Sequence, residues 1–250
     1  MSDQDLSGDV KLTIVEHLEE LRDRLIVSIL ALVVGTAFSL IFTERLLQLL
    51  IQPLGATPIA IHPVESFIVY FKVALIAGVA VAMPVILYEI VRFLLPALTP
   101  QEKRYLYLLV PGGTLFFIVG LAFATLIMLP AAINFLHGFM GDIVSQQWTI
   151  ENYISFVTTI MFWMGVIFEL PLVMFFLAKL GIVNTEMLTK FRRFWIVAAA
   201  VIAAAVTPTP DPVNMTIVMV PLVLLYEVGI LLVRLAGGGK RRAIPASRTS

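Results

Sequence analysis

Six long apolar runs constrain this chain more than any other feature: Leu25–Phe42, Phe67–Leu95, Tyr105–Ile133, Tyr153–Ala178, Trp195–Val206 and Met215–Val233, with polar connections between them. An aqueous core needs no uninterrupted apolar stretch of this kind, whereas a helix that crosses a bilayer needs roughly 20 apolar residues at about 1.5 Å rise each. The first four runs and the last fit that requirement. Trp195–Val206 reaches only about 18 Å at the same rise. Either its flanking residues extend it, the bilayer thins around it, or it forms a re-entrant hairpin with the sixth run. Composition points the same way: 60% of the 250 residues are hydrophobic, 14% are charged, and mean hydropathy is +0.98. A soluble domain is nearer roughly 45–50% apolar and about 25% charged. The expected fold is all-α, a polytopic membrane protein with six transmembrane helices. Residues 1–235 form its single domain, and residues 236–250 read as a disordered tail.

The polar connections set the expected orientation. Fifteen of the 17 basic residues fall in the N-terminal segment, the second and fourth connections and the tail; only Arg45 and Lys72 fall on or near the other side. The positive-inside rule then puts both termini in the cytoplasm. Residues 1–24 carry seven acidic and three basic residues, unlike the positive start of a signal peptide, so the first span is expected to be retained. The halves show no repeat of the kind that marks inverted-repeat transporters.

Several polar residues stand out against this background. Glu16 to Leu25 leads into the first run, with Leu18, Leu21 and Leu25 at helical spacing and a densely charged opposite face. That pattern suits an amphipathic helix at the membrane interface, or a solvated one held by pairs such as Glu20–Arg24. In the second connection Thr99, Pro100 and Glu102 have the layout of a helix start, so Glu102 either completes a capping box or binds something. Lys72, Glu89 and Glu227 lie near the ends of their runs, where they can snorkel or sit among headgroups. Glu169 lies deep in Phe162–Pro171 with no basic residue in its own span. Charge at a helix centre costs at least ~2.5–3.5 kcal/mol, so burial there favours the neutral acid and marks a functional candidate. Pro171 also leaves the carbonyl of Ile167 without its usual donor. Pro84, Pro111, Pro130 and Pro171 are expected to kink the second to fourth spans, and kinked, tilted helices enclose a concave surface. Thr207–Pro212 reads as a rigid turn in which Asp211 caps the sixth span.

Absent motifs exclude several function classes. Gly237-Gly238-Gly239-Lys240 runs on into arginines and is no P-loop. The histidines, His17, His62 and His137, lie outside the cores of the runs. That argues against an intramembrane Ser–His protease and a buried His metal site, so no catalytic residue, metal or cofactor is expected. The zero net charge offers nothing to a nucleic acid.

Together these motifs resemble the TatC family, the multispanning receptor subunit of the twin-arginine protein translocase. His17-Leu18-Glu19-Glu20-Leu21-Arg22-Asp23-Arg24-Leu25 is similar to the family's H-L-x-E-L-R-x-R-L. Phe93, Pro96-Ala97-Leu98 and Glu102-Lys103-Arg104 resemble its F-x-x-P-A-L-x-x-x-E-[KR]-R loop, and Phe168-Glu169-Leu170-Pro171 its F-E-x-P. Thr207-Pro208 with Asp211, and Tyr226-Glu227, resemble its T-P-x-x-D turn and [YF]-E pair. Met215 departs from the pattern, standing where many relatives carry Gln. The resemblance implies a receptor for twin-arginine signal peptides of folded cargo, powered by the proton-motive force in the cytoplasmic membrane of a prokaryote. Glu20 and Glu102 would bind the two arginines, with Arg22 and Phe93 beside them; bidentate carboxylate pairs distinguish Arg from Lys by geometry. Glu169 would contact single-span TatA or TatB type subunits, Asp211 would lie in a periplasmic turn, and copies of the chain would join one hetero-complex surrounded by lipid. The competing expectation is a proton-coupled solute transporter with Glu169 as its proton site.

Overall fold

The computed structural model describes residues 14–94, 100–138, 147–207 and 211–235. The Thr99 cap, the Pro208–Pro210 part of the rigid turn and the tail from residue 236 lie outside the described residues, as do the side chains of 14–15, 94 and 100–108. Among the described residues the regular structure is helical, and the one β contact is a single bridge between Ile59 and Thr149.

The charged N-terminal segment and the first apolar run form one helix, α1 (Ile14–Ser39). No Pro or Gly stands between Glu16 and Val34 to break it, so the amphipathic part continues into the span and is no separate interfacial helix. The chain then turns, and α2 (Thr43–Ile51) with the 3₁₀ turn Gln52–Leu54 leaves at 77° to α1. That turn ends on Gly55 at φ 67°, a left-handed conformation that glycine adopts without a Cβ penalty.

α3 (Glu65–Leu94) and α4 (Pro100–Phe123) carry Pro84 and Pro111 inside continuous helices. The other two prolines coincide with interruptions. Ala124–Met128 is a π turn in which Leu129 N–H donates to Ala124 C=O. This wider turn leads into Pro130 at the start of α5 (Leu129–Gly138), and π segments are a usual way of relieving such a clash. α6 (Ile150–Phe168) ends at Glu169, and α7 (Leu170–Lys179) resumes with Pro171 in its first turn. Pro171 has no N–H to continue the ladder. Glu169 N–H bonds instead to Val166 C=O at 3.1 Å, and Glu169 C=O accepts from Leu172 and Val173 N–H at 3.0 and 2.9 Å.

The short fifth run is extended by its flanks. α8 (Thr185–Val206) begins at an Asn184 cap whose Oδ1 accepts from Met187 N–H at 2.8 Å, and α9 (Pro212–Leu235) returns beside it. Among the described residues, four stretches are long and apolar enough to cross a membrane: Glu65–Phe93, Leu109–Gly138, Ile150–Lys179 and Pro212–Leu235, with the bent pair α1 and α2 a fifth if counted as one. α8 is not among them, because Lys190, Arg192 and Arg193 occupy its first half.

α6 is the central helix: Tyr153, Ile154, Val157 and Met164 are fully enclosed, packed among side chains of α2, α3, α5, α8 and α9. It crosses α4 closely, since a Cβ on Gly120 would meet Met164 C=O at 2.6 Å. α1 lies antiparallel against α3, from Tyr70 Oη donating to Leu40 C=O at 2.8 Å at one end to His17 against Phe93 at the other. α8 and α9 are joined by Trp195, which stacks on Tyr226 with centroids 4.7 Å apart. An open apolar hollow of about 320 Å³ lies among α2, α3, α4 and α6, bordered by Leu49, Ile76, Ala80, Ile118 and Met161.

Candidate functional site

Where α1 begins and α3 ends, His17, Glu20 and Arg24 share one face of α1 by their three- and four-residue spacing. That face is turned toward α3. The His17 ring stacks on Phe93 with centroids 4.4 Å apart and planes 22° apart. Arg24 Nη1 donates to Glu89 Oε2 at 3.1 Å, and its Nη2 donates to Glu20 Oε1 at 3.0 Å. Leu18, Leu21 and Leu25 remain exposed on the outer side. Glu20 and Arg24 therefore turn inward, while Glu16, Glu19, Arg22 and Asp23 stay exposed beside the outward leucines. Both parts of the solvated-helix reading fit this geometry: the Glu20–Arg24 pair is present, and Glu16, Glu19, Arg22 and Asp23 form an exposed charged face.

The residues of this corner differ in how firmly they are held. Glu89 is 6% exposed, and Arg24 is its ion-pair partner among the described residues. It does not snorkel. Removing Arg24 would leave Glu89 a buried charge without that partner, at a cost of about 3–5 kcal/mol. Glu20 and Arg24 keep 21% of their side-chain surface, and a pair this close to solvent is worth nearer ~1 kcal/mol. The described hydrogen bonds of Glu20 engage Oε1 alone. Arg22 is open to solvent and bonds its neighbour Asp23 at 2.9 Å. Phe93 is half-buried under His17. Glu102 lies in the first turn of α4, with its side chain outside the described residues. Glu20 and Phe93 are thus brought to one corner through His17, three residues before Glu20 on the same face.

Glu169 sits apart from that corner. It is 9% exposed, and its Oε1 has no hydrogen-bond partner among the described residues. Neither the freed backbone near Pro171 nor a polar group on another helix reaches that oxygen. The carboxyl fits beside α4 because residue 113 is glycine: a Cβ there would come within 2.9 Å of Glu169 Oε2 and 2.6 Å of Leu87 Cδ1.

Asp211 acts as the expected cap on α9. Its Oδ1 accepts from Asn214 N–H at 2.7 Å and its Oδ2 from Asn214 Nδ2 at 2.9 Å. Asn214, 3% exposed, is a polar residue that sequence reasoning passed over beside Met215; its place three residues after a capping acid was the available signal. Lys72 and Glu227, the other charges near the ends of the runs, are matched across helices. Lys72 Nζ donates to Ser155 Oγ at 2.7 Å with Glu151 Oε1 at 3.5 Å, and Arg192 Nη2 donates to Glu227 Oε2 at 2.6 Å. The described residues hold no group of three or more His, Cys, Asp or Glu suited to a metal ion.

Comparison with known proteins fits this arrangement. Residues 16–221 match the family described as TatC, Sec-independent protein translocase protein. The Sec-independent protein translocase protein TatC of Synechocystis sp. is 38% identical, over 93% of this chain and 92% of its own length. That of Carboxydothermus hydrogenoformans is 36% identical, over 90% and 94%. The chloroplastic TATC of Arabidopsis thaliana is 37% identical, over 94% of this chain and 70% of the relative. A crystal structure of the twin arginine translocase receptor TatC, 38% identical, superposes with a TM-score of 0.79 over 89% of this chain and 100% of that one. The chain therefore belongs to the TatC family of membrane-spanning Sec-independent protein translocase proteins.

Proposed function

We propose that this chain is the signal-peptide receptor and core scaffold of a twin-arginine translocase, moving folded proteins across the cytoplasmic membrane of a prokaryote at the expense of the proton-motive force. The observation that carries this reading is Glu20: a carboxylate at the start of α1, partly exposed, with Oε2 outside its described hydrogen bonds and the Phe93 corner beside it. A guanidinium needs such a carboxylate. Glu102, in the first turn of α4, supplies the second for an arginine pair.

The chain crosses six times in this reading, with α8 as the fifth crossing and residues 1–235 as one domain. The basic connections make the α1–α3 corner cytoplasmic, with both termini on the same side and Asp211 on the other. Single-span subunits of the TatA and TatB type dock within the membrane, and Glu169, buried with an oxygen unpaired among the described residues, is the polar group offered to them. Several copies of the chain assemble in that hetero-complex. The solute-carrier alternative gains nothing from the family relationship.

The test is site-specific photocrosslinking of a twin-arginine signal peptide to the membrane-embedded chain. Glu20→Ala and Glu102→Ala each abolish the crosslink if the reading is right. Unchanged crosslinking in both variants removes these two residues from the site.

A further inference from the structure

The carboxylate proposed to receive a cargo arginine already holds one. Arg24 spans two acids: Nη2 bonds Glu20 Oε1 at 3.0 Å and Nη1 bonds Glu89 Oε2 at 3.1 Å. Both contacts are single-pronged, and Arg24 Nε is buried without a partner among the described residues. A guanidinium can present a two-pronged fork to one carboxylate, so neither acid receives the full pairing that Arg24 can give. The two acids differ in environment as well. Glu89 is enclosed at 6% exposure, while Glu20 keeps about a fifth of its side chain in the open. Glu89 needs a permanent countercharge, and Glu20 can take one from outside.

We infer that Arg24 is a resident stand-in for the cargo arginine, and that Glu89 is the carboxylate that retains it when a signal peptide takes Glu20. In the empty receptor Arg24 neutralises Glu20, so the carboxylate is not left bare at a membrane interface. An incoming guanidinium forms a fork with Glu20 as Arg24 releases Nη2, and Arg24 stays ion-paired to Glu89 throughout. A lysine ammonium offers a point charge instead of a planar fork, so it competes poorly with the resident for the same oxygens. Glu89 and Arg24 thereby act as specificity-determining residues without touching cargo. This inference rests on Glu20 being a receptor group.

The experiment measures binding of a fluorescent twin-arginine signal peptide, and of its twin-lysine counterpart, to the full-length chain in detergent. Helicity and melting are recorded for every variant. Glu89→Gln leaves Arg24 to Glu20 alone and is expected to weaken twin-arginine binding by about five-fold, the scale of one partly exposed ion pair. Arg24→Gln with Glu89→Gln removes the resident together with its buried acid, and is expected to tighten binding by about as much while narrowing the preference over twin-lysine. Arg24→Lys keeps a countercharge for Glu89 but cannot fork across two acids, so it gives tightening in the same direction should either glutamine variant fail to fold. Binding within error of wild type in Glu89→Gln and in whichever resident-free variant folds overturns the stand-in role, provided Glu20→Gln still abolishes binding. If Glu20→Gln binds as wild type does, the receptor assignment of Glu20 fails, and this inference with it.

Discussion

Glu89 and Glu169 are both carboxylates buried to within a tenth of their surface, but their surroundings call for opposite outcomes on replacement. Glu89 holds Arg24, so Glu89→Leu takes away the buried partner of a guanidinium that keeps only Glu20, and should cost about 1.5–3 kcal/mol. Glu169 has an oxygen with no hydrogen bond among the described residues, and replacing an unsatisfied buried polar group by an apolar one of similar size is near neutral or stabilising. Glu169→Leu should therefore leave thermal unfolding in detergent unchanged or move it upward, while Glu89→Leu lowers it. If Glu169 meets a partner subunit in the membrane, the same Glu169 variant retains signal-peptide crosslinking and loses copurification with a single-span subunit. Loss of crosslinking with copurification intact would reverse the role. The sequence singled out Glu169 because no base shares its span. Glu89 was not legible in that way: its partner lies 65 residues earlier on another helix, and sequence spacing carries no information about that pairing.

At the scale of elements, α1 is the most dependent helix. Its packing is on α3, and most of its large apolar side chains stay exposed. The approach is set by glycines: a Cβ on Gly35 would meet Gly78 C=O at 2.7 Å, and one on Gly78 would meet Thr36 Cα at 2.6 Å. Without a hydrophobic force between helices in lipid, such backbone approach is what packing relies on. Gly78→Leu should separate α1 from α3 and cost about 1–3 kcal/mol by overpacking, read as a lower melting temperature. It should also weaken signal-peptide binding, because Glu20 and Phe93 sit on opposite sides of that seam. A melting drop with unchanged binding would mean that the corner forms independently of the crossing. The runs themselves were legible from hydropathy, and the π turn and the break at Glu169 fall at two of the four prolines noted in the sequence. The start of α8 was not legible by hydropathy, since three bases hide its first turns, although Asn184-Thr185-Glu186 carried an ordinary capping signal.

For the whole molecule the open quantity is how many times the chain crosses, and α8 decides it. Its apolar part alone is too short for a full bilayer, but the continuous helix of 22 residues spans about 33 Å, enough if its basic first turns reach the headgroups. The chain has no cysteine, so single cysteines can be introduced into an otherwise unreactive background and probed with a membrane-impermeant maleimide. Thr57 and Val213 are exposed, at the end of the α2 region and at the start of α9; Glu19 and Lys190 are exposed in the first turns of α1 and α8. With six crossings, Thr57→Cys and Val213→Cys label in intact cells, while Glu19→Cys and Lys190→Cys label only after the membrane is opened. A re-entrant α8–α9 hairpin keeps Glu19, Lys190 and the C-terminus on one side as well, so those positions cannot tell the two apart. Val213 can, because a hairpin that turns back inside the bilayer leaves it unlabelled from outside. Labelling at Val213 in intact cells therefore establishes α8 as a crossing, and its absence beside a positive Thr57 control reduces the count to four.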